Sequence, residues 1–186
     1  MKTIILYFLL KLTLISSYSR AGAVKYAKDN VNNANHDCNT PREACTPYSY
    51  FGWEHCGYST ENGNCANFVS QCLVLGGGHP PLTGSSYCRG YPCGFEEVGA
   101  WEMGHCLPER GWISTCGYLM EPPSYIKAGD VLIYHNTNCD DDGHAVLITV
   151  GGTNPKITCQ SSVQIDQHYN YMATSKPYYQ WIHYND

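Results

Sequence analysis

The sequence predicts an α+β domain in which helices come first and an antiparallel sheet follows. Two stretches in the first half, one from Arg20 and one from Cys65, carry apolar residues at helical spacing. Beyond Ile126 the texture changes to short apolar runs separated by turns rich in glycine, asparagine and proline. Helices followed by strands, without regular alternation, is the pattern of an α+β fold. The third observation is eleven cysteines in 186 residues, which adds a disulfide framework to a chain long enough for a real core.

The N-terminus reads as a secretory signal. Lys2 gives a positive start, and Ile4 to Ile15 is mostly apolar, interrupted by Lys11. The stretch is short for a membrane span and carries a charge. Residues 1–17 are therefore assigned as signal peptide, with cleavage at Ser17 preferred and sites after Ser19 or Ala23 as alternatives. Residues 18–186, about 169 in all, form one domain. The expected destination is outside the cell, or the lumen of a phagosome or lysosome. A net charge of -5 leaves no basic patch for nucleic acid or anionic lipid. No nucleic-acid partner and no membrane anchor are expected, and the protein is expected to be a monomer.

Arg20 to Asn33 reads as the first helix, with Ala23, Val24, Ala27 and Val31 on one face. The stretch from His36 to Asn62, with cysteines at 38, 45 and 56, reads as a disulfide-held loop region. The second helix begins at Cys65. Asn64 is a good N-cap residue, Phe68, Val69, Cys72, Leu73 and Leu75 supply a buried face, and Gly76-Gly77-Gly78 ends it. Residues 79–117 read as a second cross-linked insertion, with a short helix near Ala100 to Met103. Strands follow at Val131–Tyr134, His144–Val150, Lys156–Gln160 and Tyr178–Tyr184.

Chemistry enters at Cys65. A thiol in the first turn of a helix meets the positive end of the macrodipole, which favours thiolate over thiol. The odd cysteine count fits a thiol enzyme, since ten can pair into five bridges and one is left. Cys72, on nearly the same helical face, reads as either a buried thiol or a disulfide partner. A nucleophilic cysteine needs a base. Among eight histidines, His144 has the best setting: it opens a strand, and Gly143 before it permits close approach. His36, His55, His79, His105, His135, His168 and His183 read as surface or loop residues. Asp140-Asp141-Asp142 reads as a solvated turn. Zinc on His144 with Asp142 or Cys139 is the metal alternative, but neither a C-x-x-C pair nor an H-E-x-x-H motif is present. No metal and no cofactor are expected.

Asn64 to Leu73 with its glycines, Tyr18-Ser19-Arg20 with Ala23 to Ala27, Gly129-Asp130-Val131 and Gly143-His144-Ala145 together resemble the putative amidase domain family. That family is similar to the NlpC/P60 and CHAP cysteine hydrolases. The resemblance covers about Tyr18 to Gln160. It implies a papain-like fold of NlpC/P60 type, with a catalytic helix packed on an antiparallel sheet and disulfide-rich insertions. It matches Cys65 to the nucleophile, His144 to the base and Gln160 to the third polar residue, and Trp101 and Trp112 to mid-domain tryptophans of the core or cleft wall. The chain departs from the family pattern at Asn64 (commonly Asp), Ala66 (commonly Thr) and Gln160 (usually His), and in its insertions at 38–56 and 88–116. The implied reaction is acyl transfer from an amide in a bacterial cell-wall peptide through a thioester. The Cys65 N–H and a second donor, Asn62 or Asn64, would receive the oxyanion. The substrate would be a peptide or peptidoglycan fragment. The rival reading is a glycan- or peptide-binding module on the same fold without catalysis, motivated by sixteen tyrosines and four tryptophans.

Overall fold

The computed structural model describes residues 18–32, 65–82, 87–88, 99–141, 143–160 and 163–186. The expected signal segment and the cysteines at 38, 45, 56 and 93 lie outside these residues. Three helices and six strands are described: α1 (Arg20–Asn30), α2 (Cys65–Gln71), α3 (Ala100–Glu109), β1 (Ile113–Tyr118), β2 (Val131–His135), β3 (Gly143–Val150), β4 (Lys156–Cys159), β5 (Gln164–His168) and β6 (Tyr178–His183). The strands form one sheet in the order β1-β6-β2-β3-β4-β5, and every neighbouring pair is antiparallel. The α+β expectation therefore holds.

Helix α1 starts where Ser19 Oγ accepts the Gly22 N–H at 3.1 Å, an N-cap that satisfies one orphan donor. Ala23, Ala27 and Val31 are buried at four-residue spacing. The helix ends at Asn30, short of the expected Asn33, and Val31 caps it. Helix α2 is buried at all seven positions. It continues as a π-helical turn over Cys72–Gly76, which sequence periodicity did not reveal. The Gly77 N–H closes this turn on Cys72 O at 2.9 Å. Helix α3 runs six residues beyond the expected Met103, to Glu109.

Strand alternation divides the core in two. Val131 and Ile133 on β2, Ala145 and Leu147 on β3, and Ile182 on β6 face the helices, with Phe68, Val69, Leu73, Met103 and Leu107. Leu132, Tyr134, Val146, Ile148, Tyr179 and Trp181 face the other way. No described helix contributes to this second layer. It is closed instead by Met120 and Ile126, and by Tyr169, Tyr171, Met172 and Ala173.

The Gly129-Asp130 turn is a structural knot. Asp130 is fully buried. Its carboxylate accepts from Arg20, from the Lys127 N–H at 2.7 Å, from the Tyr184 N–H at 3.1 Å and from His183 Nδ1 at 2.8 Å. A buried carboxylate needs such company, because leaving it unpaired is costly. Tyr18 donates its hydroxyl to Gly129 O at 2.5 Å. Gly129 has φ +91°, and a side chain there would collide with Arg20. The start of the domain is thus tied to the start of β2 and to the C-terminus. Among the described residues, disulfides link Cys88 to Cys106 and Cys116 to Cys139.

Candidate active site

Cys65 opens α2 and is 7 % exposed. Its helix packs on β3 and β4. A polar chain fixes the next turns: Tyr26 donates its hydroxyl to Gln71 Oε1 at 3.2 Å, and Gln71 Nε2 donates to Asn67 Oδ1 at 2.7 Å. Neither described disulfide includes Cys65, Cys72 or Cys159. Cys72 is a free thiol buried in the core, and burial pushes it well above the ordinary thiol range. It is therefore inert at neutral pH, which settles its two readings in favour of the buried thiol.

His144 is the second residue of β3 and pairs across the sheet with Tyr134. By alternation its side chain belongs to the face of Tyr134 and Val146. The two rings lie 6.3 Å apart with planes 15° from parallel. Burial, helped by the charge of Lys176, lowers the imidazole to about 4. At neutral pH it is an uncharged ring with a lone pair to offer. Gly143 has the role expected of it: a Cβ there would fall on the carbonyl oxygen of Tyr134.

Cys159 and Tyr171 connect the two sides. Cys159, at the end of β4, has its Sγ 3.4 Å from Tyr171 Oη. Burial pushes Cys159 up to about 12, and negative charge on Cys65 adds to the rise. Tyr171 is raised by burial, then by Cys159 and Cys65. The Cys65 thiol, within the helix-side core, is thus felt by two residues of the opposite layer. The edge of Tyr171 meets the Tyr134 ring at 5.7 Å and 88°. Cys159, Tyr171, Tyr134 and His144 form one series of neighbours, and Cys65 bears on it through charge felt at Cys159 and Tyr171. Cys159, Tyr171 and Tyr134 went unnoticed in the sequence. The usable signal was strand alternation, which sets Tyr134 opposite His144 once register is known.

Gln160 lies elsewhere in that layering. Continuing the β3–β4 register past Leu147 and Thr158 sets it opposite Ala145, on the helix side. Its Nε2 donates to Asn30 O and to Val31 O, each at 3.2 Å, at the end of α1. Two carbonyls left over at a helix end are satisfied in this way. Asn62 and Asn64 fall outside the described residues.

Several other expectations are corrected. His79, His135 and His183 are buried rather than on the surface. His79 accepts from Trp112 Nε1 at 3.3 Å, His135 lies between Asp141 O and Gln180 Oε1, and His183 serves Asp130. Cys139 is bonded to Cys116, which removes it from any metal set with His144. Trp112 is a core residue. Trp101 instead belongs to a half-exposed group: its Nε1 donates to Asp140 at 3.0 Å, His105 Nε2 meets the same carboxylate at 3.0 Å, and Tyr87 stacks on His105 at 4.6 Å. Asp140 is exposed and Asp141 accepts from Asn136 and Thr137 in a tight turn, while Asp142 of the same acidic run lies outside the described residues.

No helix among the described residues is long and apolar enough to cross a membrane. No curated protein and no solved structure matches the chain significantly. One family model does match, described as putative amidase domain, over residues 17–184. That span contains the helix of Cys65, all six strands and the Asp130 knot, and the chain belongs to the putative amidase domain family.

Proposed function

We propose that the protein is a secreted cysteine amidase or peptidase of papain-like, NlpC/P60-type fold, acting on amide or peptide bonds of bacterial cell-wall peptides. Membership of an amidase family supports amide hydrolysis. The observation that carries the cysteine reading is Cys65 in the first turn of a helix packed on the strand that opens with Gly143-His144.

In this reading neutral His144 takes the proton from Cys65 as the sulfur attacks the substrate carbonyl. The S–C bond forms and the carbonyl electron pair moves to oxygen. That oxyanion is met by the Cys65 N–H and a second donor, Asn62 or Asn64. Collapse breaks the C–N bond, and His144 returns its proton to the leaving amine. Water then attacks the thioester, releasing the acid and restoring the thiol. An amine in place of water would give transfer instead of hydrolysis. The resemblance also offers Gln160 as an orienting amide, but its Nε2 is held at the end of α1 on the helix side, away from the face of the His144 ring, which weighs against that role.

Cys65→Ala tests the reading. Incubated with purified peptidoglycan and its soluble stem peptides, the wild type should release new amine and carboxylate termini by mass spectrometry. The variant should lose at least about a thousandfold in rate while melting as the wild type does. Undiminished cleavage by Cys65→Ala ends the cysteine mechanism. The binding-module reading draws on the half-exposed Tyr87, Trp101, His105 and Asp140 group, which combines ring faces with a carboxylate. Glycan binding without any cleavage would favour it.

A further inference from the structure

We propose that Tyr134 is a positioning residue that sets the orientation of the His144 imidazole. The inference rests on the assignment of His144 as the base. It starts from register: Tyr134 on β2 and His144 on β3 are direct cross-strand partners, so their side chains leave the same face side by side. Their rings are 6.3 Å apart and 15° from parallel, within the range of offset-stacked aromatic pairs. A parallel neighbour on one side restricts rotation of the imidazole about its Cβ–Cγ bond.

Such a neighbour can orient another ring only if it is itself held. Tyr134 is fully buried. Its hydroxyl donates to Tyr169 O at 2.6 Å. Tyr171 and Tyr179 meet it edge-on at 5.7 Å and 5.5 Å, with planes 88° and 85° to its own. The backbone is held too, since the Tyr134 carbonyl fills the space where residue 143 would carry a side chain. Both the ring and the main chain that precede the base are therefore seated on one residue. The same layer includes Cys159, whose Sγ lies 3.4 Å from Tyr171 Oη.

The titratable groups around His144 and this ring are Tyr134 on β2, Tyr179 on β6, Cys159 on β4, Tyr171 and Lys176 between β5 and β6, and Cys65 on α2. Of these, Lys176 is the group whose charge acts on His144, and Cys65 is the proposed nucleophile. Removing the Tyr134 ring leaves both in place, so a change in His144 behaviour reports loss of the ring itself.

The test uses the full mature chain with ¹³C-labelled histidine. In the wild type, cross-relaxation between the His144 and Tyr134 ring protons is expected; its absence overturns the proposal without any variant. Tyr134→Leu should remove the ring-current shift of the His144 ring signals and move their titration midpoint. It should also slow iodoacetamide alkylation of Cys65 near pH 7 by about tenfold to a hundredfold. Tyr134→Phe keeps the ring and should restore the shift and most of the rate. A folded Tyr134→Leu protein with wild-type His144 signals and a wild-type alkylation profile overturns the positioning role. An alkylation profile unchanged in His144→Ala overturns the base assignment beneath it, which separates the two failures.

Discussion

The two faces of the sheet are built from different materials. Beside Tyr18 and Trp112, the helix-covered face is filled with Ala23, Ala27, Ala66, Phe68, Val69, Leu73, Met103 and Leu107 against Val131, Ile133, Ala145 and Leu147. The loop-covered face holds Tyr134, Tyr169, Tyr179 and Trp181 among its largest members. Helices satisfy their own backbone, so what they present to a sheet is best met by aliphatic groups of complementary shape. Irregular segments have carbonyls that need donors. Trp181 Nε1 gives one to Met120 O at 3.1 Å, and Tyr134 gives one to Tyr169 O at 2.6 Å. Tyr169 itself donates to Glu121 at 2.9 Å. An aromatic ring with a polar tip fills volume and anchors a loop at once. Part of the tyrosine content therefore has a structural explanation, and it supplies the surroundings of His144.

The contrast can be broken by removing polar tips. Trp181→Phe keeps an aromatic in place but leaves the Met120 carbonyl without its donor. That should cost about 1–3 kcal/mol for the orphaned acceptor, on top of the lost volume. On the helix face, Phe68→Leu is a near-conservative apolar swap and should cost less than about 1.5 kcal/mol. Urea denaturation at constant m-value measures both. Equal losses would mean that the loops are held by burial alone.

What was legible in the sequence follows the same geometry. The four strands read from it, β2, β3, β4 and β6, are the inner strands of the sheet. The two that were missed, β1 and β5, are its edges. Ile113 to Tyr118 is Ile-Ser-Thr-Cys-Gly-Tyr, and Gln164 to His168 is Gln-Ile-Asp-Gln-His. An edge strand need not be apolar, and polar edges discourage unwanted pairing, so the hydrophobic signal is weak there. The starts of α2 at Cys65 and of β3 at Gly143-His144 were legible because helix and strand starts leave local marks. Tyr134, Tyr171 and Cys159 left none, since their contacts come from register and from segments far apart in the chain. His183 and His135 were misjudged for the same reason: Asp130 and Gln180 reach them across more than forty residues.

Both faces hold buried groups that make stability depend on pH. Burial first, then Lys176, lowers His144 on the loop face, while burial lowers His79 on the helix side. Both rings are therefore protonated more readily in the unfolded chain, and stability should fall as pH drops from about 6.5 toward 4. His144→Gln should flatten this slope and leave the part due to His79. In alkali the direction reverses. Cys159 is pushed up to about 12 by burial, and Cys72 is raised well above its ordinary value, so the unfolded chain loses protons first. Stability should then decline above about pH 8.5, less steeply in Cys159→Ser than in the wild type. Thermal melts from pH 4 to 10 measure both limbs. An acid slope identical in His144→Gln would mean that this ring is not held neutral by the fold.

The smallest expected effect concerns Gln160, which lies just past β4 on the helix side. Its Nε2 closes two carbonyls at the end of α1. Gln160→Ala leaves both without that donor at a buried position, and about 1–2 kcal/mol should be lost. Gln160→Glu removes the donor too, but keeps an acceptor oxygen and adds charge. If Gln160 acts only on α1, both variants lose stability while the pH profile of Cys65 alkylation stays where it was. If it also orients His144, the added negative charge of Gln160→Glu should favour imidazolium and move that profile to higher pH, whereas Gln160→Ala should lower the rate throughout. The two substitutions thus separate a helix cap from an orienting residue, because the cap responds to loss of the N–H and the imidazole responds to what the oxygen end becomes.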